Sequence, residues 1–202
     1  MGNFLKECLK EKGLVLAVNT ENNWPVVIKA AEIAEICDYV EICEENKYFT
    51  IDMLKSIVHI CGTHGLPCIM KARRSNAEDA VRMAMTLGFR GILFVEESDC
   101  TGLEDMFENI DGSIQYIGVL IEDITMVKNF EKVCQIPKID FIQLGKQKNV
   151  GDKIKEKKIR AKYAEREAIE IASRYQVDLR MPLGSVEEAE KYITMGIHHF
   201  VI

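Results

Sequence analysis

The sequence predicts eight parallel strands alternating with helices and closed into a (β/α)8 barrel. Three observations carry that prediction. Eight short apolar, β-branched runs recur along 202 residues, each followed by a longer stretch with helical spacing. Their period, roughly 25 residues, is close to one minimal strand-helix unit. The runs are almost continuously apolar, as strands covered on both faces are. Strict alternation implies a parallel sheet, and eight repeats suit a closed TIM barrel better than an open doubly wound sheet. The first strand-helix turn, Asn19-Thr20-Glu21-Asn22, lacks the glycines of a dinucleotide-binding fold. Residues 1–202 read as a single domain, a size at which one core buries about 70% of the unfolded surface.

Taken in order, Phe4–Lys12 has the spacing of a short helix able to plug the barrel floor. The strands are expected at Leu14–Asn19, Tyr39–Cys43, Cys68–Arg73, Gly91–Glu96, Tyr116–Glu122, Phe141–Gly145, Asp178–Pro182 and His198–Ile202. Helices are expected at Pro25–Cys37, Thr50–Thr63, Ala77–Leu87, Leu103–Glu108, Ile124–Cys134, Ile159–Tyr175 and Val186–Met195. Thr50 precedes Ile51 and Ser75-Asn76 precede Ala77, as N-caps do. Ser185 with Glu188 three residues on reads as a capping box. Gly65, Gly88 and Gly196 fall where helices end. No helix follows the eighth strand, so the wall beside strands eight and one is expected to be apolar and covered by a partner subunit, giving a homo-oligomer.

The chain is 48% apolar and 29% charged, the balance of a globular protein. No apolar run approaches the ~18 residues of a membrane span, and Met1–Lys12 carries charges where a signal peptide is apolar. A net charge of −6 argues against nucleic acid as a partner. The seven cysteines have no paired spacing and fit a reducing cytosol. A soluble, cytoplasmic protein without membrane or nucleic-acid partners is expected.

In this fold chemistry sits at the carboxyl ends of the strands. Those positions carry Asn19, Glu41 to Glu45, Lys71 with Arg73, Glu96-Glu97, Glu122, Lys146 with Lys148, and Arg180. Charges that end apolar strands need a partner, a ligand or solvent. Glu122 closes the run Ile114–Ile121 and calls for a cation, either a metal, Lys148 or Lys71.

The stretch Val119-Leu120-Ile121-Glu122-Asp123-Ile124, continuing to Ile139-Asp140-Phe141-Ile142-Gln143-Leu144-Gly145, resembles the HpcH/HpaI aldolase–citrate lyase family. Asp38–Ile42, Ala80–Val95 and Val186–Val201 extend the resemblance over most of the chain. It implies a barrel, often holding Mg²⁺ or Mn²⁺, that makes or breaks carbon–carbon bonds through an enolate. On that resemblance Glu122 takes the place of the metal-binding glutamate. Lys71 or Arg73 takes that of the carboxylate-holding arginine, and Glu45 that of an acidic residue after strand two. Three positions depart from the family. Lys148 stands where the second metal ligand, an aspartate, belongs; Asn46 replaces a histidine; and Ser98–Ser113 is too short for the usual glycine-rich segment. Glu122 and Lys148 are therefore expected either to share a metal site altered by Lys148 or to form a metal-free ion pair. A lysine of depressed pKa would offer a Schiff-base nucleophile instead.

Other constellations carry weaker expectations. Gly145–Lys162 holds eight Lys or Arg against Asp152 and Glu156, which reads as an anion-landing segment or a solvated helix face. Cys61, His64 and Cys68 have metal-ligand spacing without a fourth ligand, so buried thiols beside a turn histidine are the simpler reading. Cys43 ends a strand with no histidine placed to activate it. Gly184-Ser185 opens a helix that a phosphate would fit. Two functions stand open. One is a carbon–carbon lyase acting on a 2-oxo acid or related small anionic carboxylate, with Lys71, Arg73, Glu45 and Lys148 at the site and Glu122 on the metal. The other is a diverged, non-catalytic barrel that binds an anionic metabolite. A phosphosugar-type barrel enzyme is the lesser alternative.

Overall fold

A computed structural model describes residues 4–21, 24–95, 102–108, 110–121, 130–145 and 154–202. Eight strands, β1 (Val15–Thr20), β2 (Tyr39–Cys43), β3 (Cys68–Arg73), β4 (Gly91–Val95), β5 (Tyr116–Ile121), β6 (Phe141–Leu144), β7 (Asp178–Pro182) and β8 (His199–Val201), pair in parallel in that order. β8 returns to β1, through Val15 opposite His199 and Ala17 opposite Val201, and closes the barrel. The fold is the TIM barrel that the alternation predicts.

The described helices are α1 (Phe4–Lys12), α2 (Trp24–Ile36), α3 (Ile51–Thr63), α4 (Ala77–Leu87), α5 (Leu103–Glu108), α6 (Phe130–Cys134), α7 (Ile154–Tyr175) and α8 (Val186–Thr194). The helix expected to begin at Ile159 begins five residues earlier, because the Lys/Glu run there has helical propensity but no apolar stripe to reveal it. The first part of the helix expected at Ile124 lies outside the described residues. Thr50 caps α3 by accepting the Met53 N–H at 3.3 Å. Asn76 makes no side-chain cap; a 3₁₀ turn, Arg74–Asn76, runs straight into α4 instead. Gly88 ends α4 at φ +84°, a left-handed conformation that only glycine adopts without strain.

Alternation along each strand divides the apolar residues into two cores. Outward side chains such as Ile42, Met70, Phe94, Val119 and Ile142 pack under the helices. Inward ones, among them Val15, Ala17, Tyr39, Ile69, Leu93, Tyr116 and Phe141, fill the barrel itself. α1 closes the floor as expected: Leu5 and Cys8 are buried against this inner core, and Phe4 lies 6.1 Å from Tyr116, ring to ring. Lys12 fixes the end of α1 to Asp38 at 2.5 Å, and Asp38 also accepts the Leu16 N–H. Asp140 does the same four strands on, ahead of β6, accepting the Ile117 N–H of β5 at 2.9 Å.

The inner wall alternates large and absent side chains. Any Cβ at Gly118 would fall on the Phe141 ring, and one at Gly91 would meet Tyr116. Glycine there is a packing requirement, since the neighbouring ring occupies its side-chain space. Gly118→Ala is expected to cost ~1–3 kcal/mol in urea unfolding, the range for overpacking. The double variant Gly118→Ala/Phe141→Leu is expected to recover part of that loss.

Candidate active site at the mouth of the barrel

Five strands send polar side chains into the barrel above its apolar floor. The deepest is Arg180 of β7, which is wholly buried. It was expected at the rim with the other strand-end charges. The pleat instead points it inward at the middle of the barrel, level with Gln143 of β6 and His199 of β8 in the strand register. Its guanidinium pairs with Glu41 of β2, which is 1% exposed, and donates to the Gln143 side-chain oxygen. It also donates to the Tyr39 oxygen at 2.7 Å and lies 4.9 Å over the Phe141 ring. Its Nε is buried without a hydrogen-bond partner. Glu41, likewise expected among the rim charges, is the buried counter-ion.

The chain of donors fixes the protonation of His199. Arg180 has donors only, so the Tyr39 oxygen accepts from it and the Tyr39 O–H donates to His199 Nε2, 2.7 Å away. Nε2 is then the bare nitrogen, and Nδ1–H donates to Asp178 at 2.6 Å. Burial holds the His199 pKa below its ordinary value, against the pull of Asp178. His199 is a neutral link inside the barrel. It is turned away from the mouth.

The mouth lies above this network. Lys71 of β3 faces inward and its ammonium sits 2.9 Å from Glu45 Oε1, the side chains 17% and 11% exposed. Burial works to strip the proton from Lys71, but Glu41 and Glu45 outweigh it and carry the pKa above the ordinary lysine value. Burial raises the Glu45 carboxyl above its ordinary value, with Lys71 pulling the other way. Glu45 belongs to a 3₁₀ turn, Glu44–Asn46, that follows β2 directly. Arg73 of β3 donates from Nε to the Glu45 backbone oxygen at 2.9 Å and so pins that turn. Lys71, Arg73 and Glu45 are thus brought together, with Lys71 on the side chain of Glu45 and Arg73 on its backbone.

Other expectations resolve differently. Glu122, Lys148, Lys146 and Glu96-Glu97 lie outside the described residues, as do the side chains of most of the basic segment Gly145–Lys162. Cys43 is buried, and its thiol is pushed up to about 12 by burial and by Glu45 and Glu41, which leaves no thiolate. Cys61 and Cys68 hydrogen-bond each other, while His64 ends α3 in solvent. At Gly184-Ser185 the Glu188 carboxylate accepts the Gly184 N–H at 2.7 Å, and Ser185 accepts the Glu188 N–H. Ser185 caps the helix as expected, while Glu188 reaches one residue past the cap and sits on the Gly184 amide.

Among the described residues no three His, Cys, Asp or Glu side chains cluster, and each mouth carboxylate already has its own cation, Arg180 for Glu41 and Lys71 for Glu45. Tyr39, Gln143, Asp178, and the pairing of Glu41 with Arg180 were not anticipated as one network. The available signal was parity: Tyr39 and Glu41, like Asp178 and Arg180, are two residues apart and so share the inner face.

The fold and site define a (β/α)8 barrel with its charges gathered inside the carboxyl end. No protein-family model matches the sequence, and no curated protein does. Solved structures do match. The citrate synthase SbnG superposes with a TM-score of 0.81 at 16% identity, over 98% of this chain and 89% of that one. An HpcH/HpaI aldolase from Desulfitobacterium hafniense gives 0.78 at 13%, over 99% and 90%. The tryptophan synthase α-subunit of Pyrococcus furiosus gives 0.70 at 14%, over 94% and 86%. At such identities the likeness establishes the barrel, and chemistry has to be argued from the site. A citrate synthase and an HpcH/HpaI aldolase are thus among the solved structures that share this barrel. Among the described residues no helix is long and apolar enough to cross a membrane.

Two stability predictions rest on the buried network. Arg180→Met leaves Glu41 charged and unpaired, an expected loss of ~3–5 kcal/mol in denaturant unfolding, whereas Arg180→Met/Glu41→Gln recovers most of it. His199 binds its proton less readily folded than unfolded, so its contribution is intact above 6.5 and is lost as pH falls below that value. Unfolding measured from pH 7 to 5 should therefore show a steeper decline for the wild type than for His199→Gln.

Proposed function

We propose that this barrel makes or breaks a carbon–carbon bond beside a 2-oxo acid, through an enolate whose oxygens are held by Lys71. One observation carries the reading. Lys71 is a protonated ammonium, partly open at the carboxyl end of β3 and set between two carboxylates that keep it charged. A fixed positive charge at a developing enolate oxygen in a partly desolvated site is the main requirement of such chemistry. Because its pKa is raised, Lys71 serves as a cation rather than as a Schiff-base nucleophile. Arg73 holds the Glu45 turn against β3 and completes the carboxylate-binding edge. Glu122 and Lys148 are assigned to each other as an ion pair in the place where relatives of this kind hold a divalent ion. The fold shared with a citrate synthase and an aldolase supports the assignment.

A second reading, a non-catalytic barrel for an anionic metabolite, is favoured by the Glu45 carboxylate already seated on Lys71. Two properties accompany either reading. The exposed apolar side chains of Leu14 and Ile202, which flank β1 and β8, support a homo-oligomer. The free cysteines of the described residues support a reducing, cytoplasmic setting.

Exchange of the pyruvate methyl protons with D₂O, followed by NMR, separates the two readings. Wild-type protein is expected to catalyse exchange with or without added Mg²⁺ or Mn²⁺. Lys71→Ala is expected to lose roughly 100-fold or more, the cost of removing one oxyanion partner. Binding of pyruvate without exchange would instead establish the binding barrel.

A further inference from the structure

We propose that Glu45 is the base that removes the α-proton of the 2-oxo acid, an assignment that rests on the enolate reading above and goes beyond it. The geometry of a single carboxyl group carries it. Glu45 Oε1 meets the Lys71 ammonium at 2.9 Å, while Oε2 is buried with no hydrogen-bond partner. A carboxylate oxygen withdrawn from water and given no donor costs free energy that ordinary folding avoids. A proton-receiving oxygen needs a free lone pair, and Oε2 has no donor on it.

The backbone keeps it in place from two sides. Arg73 Nε holds the Glu45 carbonyl, and the 3₁₀ turn closes with the Lys47 N–H on the Glu44 carbonyl at 2.7 Å. Lys47 adopts φ +56°, a left-handed conformation that costs a non-glycine residue and that a freely relaxing loop would leave. The position of Glu45 is therefore built, not incidental.

Glu41 is held by Arg180, Glu44 has a carboxyl likewise raised by burial but no ammonium on it among the described residues, and the other neighbours are poor bases. Lys71 is protonated, Arg73 cannot release its proton, and the Cys43 thiol is held protonated by burial. Asn46 has no basic atom. Both nitrogens of His199 are engaged inside the barrel, by Tyr39 and Asp178. Burial meanwhile makes Glu45 a stronger base than a solvated carboxylate.

The step balances within the site. Oε2 forms a bond to a C3 proton of the 2-oxo acid, and the C3–H electron pair becomes the C2=C3 double bond. The carbonyl π pair moves to oxygen, where Lys71 offsets the negative charge. In reverse, protonated Glu45 returns a hydron to C3, and that hydron is deuterium once the carboxyl has exchanged with D₂O. No oxidant or second substrate is needed.

The test pairs pyruvate methyl exchange with binding of oxalate, a planar dianion that resembles the enolate and has no proton to lose. Glu45→Gln is expected to lose roughly 100-fold or more in exchange, within the range for a general base. Its oxalate affinity should stay within a few-fold of wild type or become tighter. The wild-type rate should rise with pH through an apparent pKa above 4.5, and Glu45→Asp should displace that pKa while keeping partial activity. Exchange by Glu45→Gln within threefold of wild type would overturn the assignment and leave the enolate reading standing. Loss of oxalate binding together with exchange, in a variant with native circular dichroism, would overturn it too by making Glu45 a binding group. Absence of exchange in the wild type would remove the enolate reading and the base with it.

Discussion

A guanidinium enclosed in a barrel constrains everything around it. Arg180 has no exposed surface, and an isolated charge in such a place costs far more than a small domain's net stability. The barrel offsets that cost with Glu41 across the lumen, Gln143 beside it, the Tyr39 oxygen and the face of Phe141. Each of those residues is then committed. Tyr39 has to turn its proton toward His199, His199 has to stay neutral, and its Nδ1–H has to find Asp178. The chain runs from the middle of the lumen to the start of β7. It crosses strands that meet only because the sheet closes, so closure and charge balance depend on each other.

The same pair sets the electrostatics of the mouth. Without Arg180, Lys71 would face two uncompensated carboxylates and the site would carry a net negative charge. With Arg180 holding Glu41, the four groups Arg180, Glu41, Lys71 and Glu45 sum to zero. Lys71 stays charged, and burial holds the Glu45 carboxyl above its ordinary value. Glu41 reaches both cations, as hydrogen-bond partner of one and electrostatic neighbour of the other. Interior packing and surface chemistry are joined at that residue.

Periodicity made the architecture legible. Apolar runs recurring at roughly 25-residue intervals located all eight strands, and Phe4–Lys12 was legible as a short helix; its Leu5 and Cys8 are the residues that plug the floor. The chemistry was harder to read because strand-end position alone does not separate a rim charge from a buried one. Glu41 and Arg180 lie on strands two and seven, 139 residues apart, and only closure brings them together. Lys71 and Glu45 were legible because both sit at strand ends and both do reach the opening. Gly184-Ser185 shows the converse difficulty. Its amide is the right kind of group for a phosphate, but Glu188 supplies the anion from within the same helix.

On the proposed reading a single ammonium takes the part of a divalent ion, and it is a modest substitute. At 4 Å and an effective dielectric constant near 20, one unit charge offsets another by about 4 kcal/mol, and a divalent ion would supply twice that. On that reading the two pairs Arg180–Glu41 and Lys71–Glu45 are already balanced before a ligand arrives. An arriving 2-oxo carboxylate would add a negative charge beside Glu45 and raise its proton affinity further. Ligand binding therefore strengthens the base at the moment it is needed. Once Glu45 is protonated its hold on Lys71 weakens, and the ammonium is released to the enolate oxygen. On the proposed reading one proton transfer would do two things, creating the enolate and freeing the charge that stabilises it. A pre-bound metal would need no such exchange, and a lysine shared with a carboxylate does.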